Sequence, residues 1–506
     1  MQTSMPDDVS DQTLGPLKKI QDILSAMASE SLSYCHWKSN YHIQYALAGQ
    51  EDLDILVDPQ DFPRFMTILL NEDFKLAESI TSAQQPGVFH FLGNDKSSGT
   101  LVNVHAYTRI LTGDHFLKTY ALPLEKILLG ECSEFNGIRL PDKSSELIVF
   151  VLRNMLKHTT LMDLILNRHG NTATQEELEW LEPDVSMEPA LEKLKDNFPD
   201  LAATDFRQAV TLLSSSNNNL KARLLLARRF QKVLNKYRRY GTLYSAFGTG
   251  WAVTRMYYNR KILGVKHMSL LGGGAVIALV GPQATGKTTL ATELQRWLGC
   301  ELGVRRIHAG KPPATWYTKL PNLLIPLTRT LFPRYKTETV ESQVDSSKET
   351  TNRFPWVFVI RKVLVALDRR ALLRMCYRWA RNGKIVLSDR YPSDNPGAVD
   401  GMSFSGEQVA NEKSAIKRYL MSWERRIYQD ICPPDLVLAL QAPTDVAVVR
   451  NVTRNKVDAG DEGYVRRRHS MRRKPVFEHC PVVQISTDRS IEETVRDAKN
   501  HVWRHL

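Results

Sequence analysis

What the chain lacks narrows its class first. Nowhere in its 506 residues does an apolar run approach the ~18 residues that a membrane-spanning helix needs. Its opening, MQTSMPDDVSDQTLG, has neither a basic start nor an apolar stretch, so no secretory signal is expected. Six cysteines (Cys35, Cys132, Cys300, Cys376, Cys432 and Cys480) are spread out with no CxxC pair and no zinc-ligand spacing. They are expected as buried thiols of a reducing compartment, which points to the cytoplasm. The 13 histidines include no HExxH, and His36, His90 and His105 are expected in cores or turns. No internal repeat or low-complexity tract interrupts an ordinary globular composition, 42% hydrophobic and 24% charged.

Acid is the other thing missing, and locally. The chain carries 67 Lys and Arg against 55 Asp and Glu, a net charge of +12. Between Phe206 and Met268 there are 13 Lys and Arg and no acid at all. A positive surface attracts phosphorylated small molecules, nucleic acid or an anionic membrane face, and charge alone does not choose among them. Within this segment LKARLLLARRFQKVLNKYRRYG sets Leu226, Phe230, Val233, Leu234 and Tyr237 on one helical stripe, with Arg228, Lys232 and Arg239 on its flank. Trp251, Tyr257 and Tyr258 suit base stacking, a membrane interface or packing between helices. Peripheral contact with an anionic surface through 206–268 is therefore one expectation, and neutralisation of neighbouring acidic faces is the other. Sequence-specific nucleic-acid binding is not expected.

A chain of this length exceeds one hydrophobic core, and the pattern divides it three ways. Residues 1–130 mix helix and strand signals, the strongest strand being DLDILVD (Asp52–Asp58), followed by TLVNVHAY (Thr100–Tyr107). Residues 131–270 read as a helical, basic connector, with ELIVFVLRNMLKH as its buried helix. The triple glycine Gly272–Gly274 breaks the pattern. Residues 271–506 then alternate buried strands (AVIALVG, KIVLSDRYP, DLVLALQAP, VVQIST) with helices, the signature of a parallel sheet covered on both faces. The fold class expected is α/β, with a smaller α+β domain before it.

The sharpest motif is Gly281-Pro282-Gln283-Ala284-Thr285-Gly286-Lys287-Thr288, followed by Thr289. It fits G-x-x-x-x-G-K-[ST] between a strand and a helix. Its glycines let backbone N–H groups turn inward onto phosphate oxygens, and the helix adds its positive end. Lys287 would bridge the terminal phosphates of ATP, and the Thr288 hydroxyl would hold Mg²⁺. At the end of KIVLSDRYP, Asp389 and Arg390 fall at the carboxyl edge of the sheet, where α/β proteins place ligands. A second Asp-Arg pair, Asp368-Arg369, lies in the helix before that strand. Arg450, Arg454, Arg466-Arg467-Arg468 and Arg472-Arg473 form a third basic cluster, either a solvated face or a lid over the transferring group.

These motifs together resemble thymidylate kinase-like P-loop kinases over about Ala275–Leu506. The resemblance implies an ATP- and Mg²⁺-dependent kinase. In it Arg390 holds the acceptor phosphate and Arg369 lies near the acceptor, Asp389 is the Mg²⁺-side carboxylate, and Arg450 and Arg454 are lid candidates. The loop departs from that family's G-x-D-G-x-G-K, since Gln283 stands for the acid and Ala284 for a glycine, so the acceptor pocket differs. A phosphate monoester, its second pKa near ~6, is already ionised at neutral pH and needs arginines rather than a base. The arginines therefore favour a phosphorylated acceptor, a nucleoside monophosphate such as dTMP or a sugar phosphate. A nucleotide-gated ATPase with a regulatory or assembly role is the rival reading.

Asp52 and Asp54 sit two apart on a strand, so their carboxylates face one way and can share divalent metal. With Lys38-Ser39-Asn40 in the preceding turn, this resembles the nucleotidyltransferase fold. That fold's Gly-Ser turn lacks its glycine here, and the later strand offers Asn103 and His105 in place of a third acid. A binding domain without catalysis is the middle reading, between a true nucleotidyltransferase and a mere surface D-x-D. Both halves together resemble fused proteins of bacterial surface-polysaccharide loci.

Overall fold

The computed structural model describes residues 15–79, 85–114, 117–157, 171–215, 220–261, 268–319, 354–393, 400–453, 462–470 and 476–506. The chain forms two compact units, Met1–Leu271 and Gly272–Leu506, divided at the triple glycine.

The first unit is built on a mixed six-stranded sheet. Its strands are β1 (Tyr34–His36), β2 (Leu53–Val57), β3 (Lys75–Ser79), β4 (Val88–Asn94), β5 (Leu101–Tyr107) and, after β6 (Ile110–Thr112), β7 (Tyr120–Leu122), β8 (Cys132–Phe135) and β9 (Ile138–Pro141), the late strand β10 (Met268–Leu270). The order is β1-β2-β5-β4-β3-β10; β2 and β5 run parallel and the other pairs antiparallel. Every residue of β2 is buried, as expected of an apolar run in the middle of a sheet. Residues 131–270 do not stand apart as a connector. The helix Lys143–Lys157 buries Leu147–Leu152 in one core with Trp37 and Leu56, and Leu226, Phe230 and Leu234 of the amphipathic stripe join it. That stripe is thus spent on internal packing. Arg239, expected on its free flank, is half-buried and donates to Gln85, to the Leu117 and Lys118 carbonyls and to the Tyr240 hydroxyl.

The second unit is a wholly parallel five-stranded sheet of order β12-β13-β11-β14-β15, comprising β11 (Val276–Val280), β12 (Val304–His308), β13 (Ile385–Asp389), β14 (Leu436–Gln441) and β15 (Val482–Ser486). Alternate residues of β11 face opposite ways. Val276, Ala278 and Val280 pack with Leu372, Leu373, Cys376 and Ala380 of the long helix Trp356–Arg381. The helices Lys287–Leu298 and Ile491–His505 pack against each other, with Trp297 against Trp503 at a ring separation of 6.2 Å. The edge strand β12 is not apparent in the sequence because VRRIH carries three polar residues on five positions. Among the described residues no helix is long and apolar enough to cross a membrane.

The six cysteines are all free. Cys35 and Cys376 are buried as expected, but Cys300 and Cys432 are exposed. Cys300 follows the last turn of a helix, and Cys432 lies in the connection into β14.

Candidate active site

Parallel strands bring Gly281 and Asp389 to the same sheet edge. Leu279 is in register with Asp389 across the β11–β13 pair, so the loop leaving β11 and the acid ending β13 adjoin. Gly281 has φ +149, and a Cβ there would lie 2.5 Å from the Leu440 carbonyl oxygen, so only glycine fits the turn. Gly286, at φ +87, caps the helix Lys287–Leu298. The buried Thr285 hydroxyl closes the loop by donating to the Pro282 carbonyl at 2.9 Å. The Lys287 ammonium folds into the same loop, 3.0 Å from the Gly281 and 2.6 Å from the Pro282 carbonyl oxygens.

Thr288 Oγ1 donates to Asp389 Oδ2 at 3.2 Å. A hydroxyl and a buried carboxylate side by side are the oxygen donors a hard divalent cation prefers, so Mg²⁺ fits these residues. Arg306 of β12, which the sequence reading missed, brings Nη2 to 3.8 Å from the same carboxylate. Gln283 donates to Asn451 Oδ1 at 3.5 Å, and His469 Nε2 donates to the Gln283 carbonyl at 2.9 Å. Ala284 stands at φ +62, a left-handed conformation costly to any residue with a Cβ, and its methyl is buried with Ala447 and Val465. Those two residues belong to the helices Thr444–Thr453 and Glu462–Ser470, so the helix pair carrying Arg450 and Arg466 rests on the loop itself.

A cavity of about 400 Å³ opens beside the loop, lined by Ala284, Gly286, Thr289, Arg450, Thr487 and Arg489 among others. Arg450 is aimed there by two bonds to Thr487, one to its Oγ1 at 3.2 Å and one to its carbonyl at 2.8 Å. Arg466 is exposed and pairs with Asp445 and Glu462. Arg454 and Arg472-Arg473 lie outside the described residues, as do the side chains of Arg467 and Arg468.

Arg369 and Arg390, the two arginines expected near the acceptor, converge on one acid. Arg369 is buried; its Nη2 lies 3.2 Å from Asp400 Oδ1, while Nη1 donates to the Asp400 carbonyl and the Tyr428 hydroxyl and Nε to the Ala309 carbonyl. Four of its five N–H donors are thereby committed within the fold. Arg390 contacts the other Asp400 oxygen at 3.3 Å but keeps 42% of its side chain exposed, and its φ of +75 is strained. Asp368, the partner that sequence gave to Arg369, instead accepts from the Thr315 N–H and the Thr315 and Thr318 hydroxyls.

In the first unit Asp52 and Asp54 do share a side, both near His105 Nδ1 at 3.6 and 3.4 Å. Asp54 is buried and paired with Lys38 Nζ at 2.6 Å, and Asn103 donates to Asp52 at 2.9 Å. Burial pushes the Asp54 carboxyl up, but Lys38 and His105 outweigh it and hold it well below the usual carboxylate range. Burial, with His105 beside it, lowers His90 to about 4, so His90 is neutral at pH 7. His36 and Asn40 form a buried pair that reaches Glu146, whose carboxyl is pushed well up by burial. Among the described residues, no group of three or more His, Cys, Asp and Glu is arranged to hold a metal ion.

No family model matches the chain, and no curated protein matches it. Among the solved structures it resembles is a thymidylate kinase from Candida albicans, whose structure is described as revealing the origin of broad substrate specificity and a novel structural element. The identity is 15% and the TM-score 0.27, over 46% of this chain and 90% of that one.

Proposed function

We propose that the second unit is an ATP- and Mg²⁺-dependent phosphotransferase that moves the γ-phosphoryl group to a phosphorylated small molecule, a nucleoside monophosphate such as dTMP or a sugar phosphate. The observation that carries this reading is the Thr288–Asp389 pair at the mouth of a glycine-turned loop that holds the Lys287 ammonium. Thr288 and Asp389 would hold Mg²⁺, which supplies charge neutralisation on the phosphate oxygens. Loop N–H groups and Lys287 take the β- and γ-phosphates. An ionised phosphate oxygen of the acceptor attacks the γ-phosphorus, the bond to the bridging oxygen breaks, and ADP leaves with that electron pair. No general base is required because the acceptor is already ionised at neutral pH. Arg390, half free of its Asp400 contact, is the arginine suited to orient that acceptor, and Arg369 acts through Asp400 by fixing the carboxylate. Arg450 and Arg489 border the cavity that would receive the ATP base.

The test is product analysis on the full chain with MgATP and a panel of nucleoside monophosphates, sugar phosphates and unphosphorylated sugars. The expected outcome is ADP together with one phosphorylated product, lost by about 100-fold or more in Lys287→Ala. Free phosphate with no phosphorylated product from any acceptor would replace this reading with the nucleotide-gated ATPase. Turnover confined to unphosphorylated alcohols would overturn the phosphorylated acceptor.

A further inference from the structure

The helix Thr242–Lys261 departs from the rest of the first unit in what it shows to solvent. Phe247 is 79% exposed and Trp251 71%, and Tyr244 and Tyr258 are exposed with them. At about 100° per residue these four positions fall within an arc of roughly 60°, an aromatic ridge along the helix, and the exposed Tyr257 lies on its flank beside Lys261. Arg255 borders the ridge and Lys261 lies on its flank, both exposed. The helix is anchored on a neighbouring side, where Ser245 and Asn259 are buried and Gly248 faces Leu117 so closely that a Cβ would come within 2.9 Å of it. The ridge is thus held outward by packing next to it.

We infer that this aromatic ridge seats the protein on an anionic lipid surface, lying in the interface plane without crossing it. Two independent features select that occupant. Three of the four ring residues are Tyr or Trp, which join an apolar body to a polar tip and so favour the headgroup boundary over a dry groove. The charge along this stretch of the sequence is of one sign. From Phe206 to Met268 there is no acid, and although Arg207, Arg229 and Lys236 pair with Glu188, Asp205 and Asp200, Lys221, Arg228, Lys232, Arg255 and Lys261 remain exposed. A second copy docking through this face would oppose Arg255 and Lys261 to themselves, whereas anionic headgroups complement them. This inference does not rest on the phosphotransferase reading, since no residue of the loop or of its acids takes part.

Co-sedimentation of the full chain with phosphatidylcholine vesicles, with and without phosphatidylglycerol, tests it. The side chains to be changed are exposed, so Phe247→Ser/Trp251→Ser should leave circular dichroism and ATP turnover as in the parent. The expected result is pelleting with the anionic vesicles only, weakened at ~0.5 M salt and reduced at least about tenfold by that double variant. Arg255→Glu/Lys261→Glu should reduce it to a smaller extent. A blue shift of emission on vesicle addition should vanish in Trp251→Phe. No pelleting with anionic vesicles at low salt would overturn the inference, as would pelleting unchanged in the double variant. If the ridge instead mediates concentration-dependent dimerisation or retains single-stranded RNA in preference to vesicles, a second copy or nucleic acid is its occupant and the lipid surface is refuted.

Discussion

Thr288 Oγ1 and Asp389 Oδ2 lie 3.2 Å apart, linking the first turn of the helix after the glycine loop to the last residue of β13. The contact follows from topology: β13 is the parallel neighbour of β11, so its carboxyl end opens beside the loop. Asp389→Asn keeps the shape of this pair and removes the charge. Turnover should fall by about 100-fold or more, with the optimum displaced to higher Mg²⁺, while ATP binding measured without Mg²⁺ changes little. Thr288→Ser should keep most of the activity and Thr288→Ala should lose it. Steady-state kinetics across a Mg²⁺ series would decide, and wild-type turnover in Asp389→Asn would exclude a metal role for the pair.

Ala284 offers a test of how the loop supports the helix pair above it. Glycine there would relieve a left-handed Cβ strain of roughly 1 kcal/mol. It would also lose a buried methyl worth about 0.8 kcal/mol and add unfolded-chain entropy worth about 0.5–1 kcal/mol. The terms nearly cancel, so Ala284→Gly should change stability by less than about 1 kcal/mol. Its effect should appear instead in hydrogen exchange of the helix Glu462–Ser470, where protection drops because Val465 loses its contact. Unchanged exchange in that helix would show that His469 and Gln283 hold it without Ala284.

The loop, the parallel strands and the Asp389 edge were legible because each is local: a glycine pattern between an apolar run and an amphipathic helix. The strand Val304–His308 was not, since an edge strand needs only one apolar face and here shows mostly charge. Arg306 was missed with it. Asp400 was invisible for another reason. Its role depends on two arginines, 31 and 10 residues away in sequence, that fold onto one carboxylate. The amphipathic stripe within Leu220–Tyr240 is helical only as far as Tyr237, α to Val233 and 3-10 beyond it. What covers such a face is a tertiary matter, and it turned out to be the core of its own unit.

Lys38 stands against Asp54 where a two-carboxylate centre would hold metal. Removing it leaves a buried carboxylate beside only the neutral Tyr107 hydroxyl and His105, with no ammonium against it, so Lys38→Ala should cost about 2 kcal/mol or more at pH 7. The sign with pH follows from a depressed pKa. The pair's contribution is fully present above the ordinary carboxylate value near ~4 and is lost as pH falls through and below it, so the two proteins should converge in stability in acid. Mn²⁺ should raise the melting temperature of Lys38→Ala more than that of the parent, because the ammonium no longer competes for Asp54. Nucleotidyl transfer by the parent, abolished in Asp52→Ala/Asp54→Ala, would show a working metal centre and contradict this account.

Glu424, on the helix Ala415–Gln429, gives the second unit a pH dependence of opposite sense. Its side chain is fully buried, the Ser403 N–H donates to Oε1 at 2.8 Å, and Oε2 has no hydrogen-bond partner among the described residues. Burial pushes its carboxyl up to about 7, with Ser403, Lys362 and Arg425 opposing the rise only in part. Between its unfolded value of 4.5 and that folded value the native state binds more protons than the unfolded one. Stability from this group is therefore complete below pH ~4.5 and declines as pH rises through ~7, by roughly 3 kcal/mol in all. Glu424→Gln keeps the acceptor for Ser403 and cannot ionise. The variant should match the parent near pH 4.5 and melt above it by pH 8, the gap opening across that interval. Parallel melting curves for the two proteins from pH 4.5 to 8 would mean that Glu424 is ionised within the fold and has found a cation to pair with.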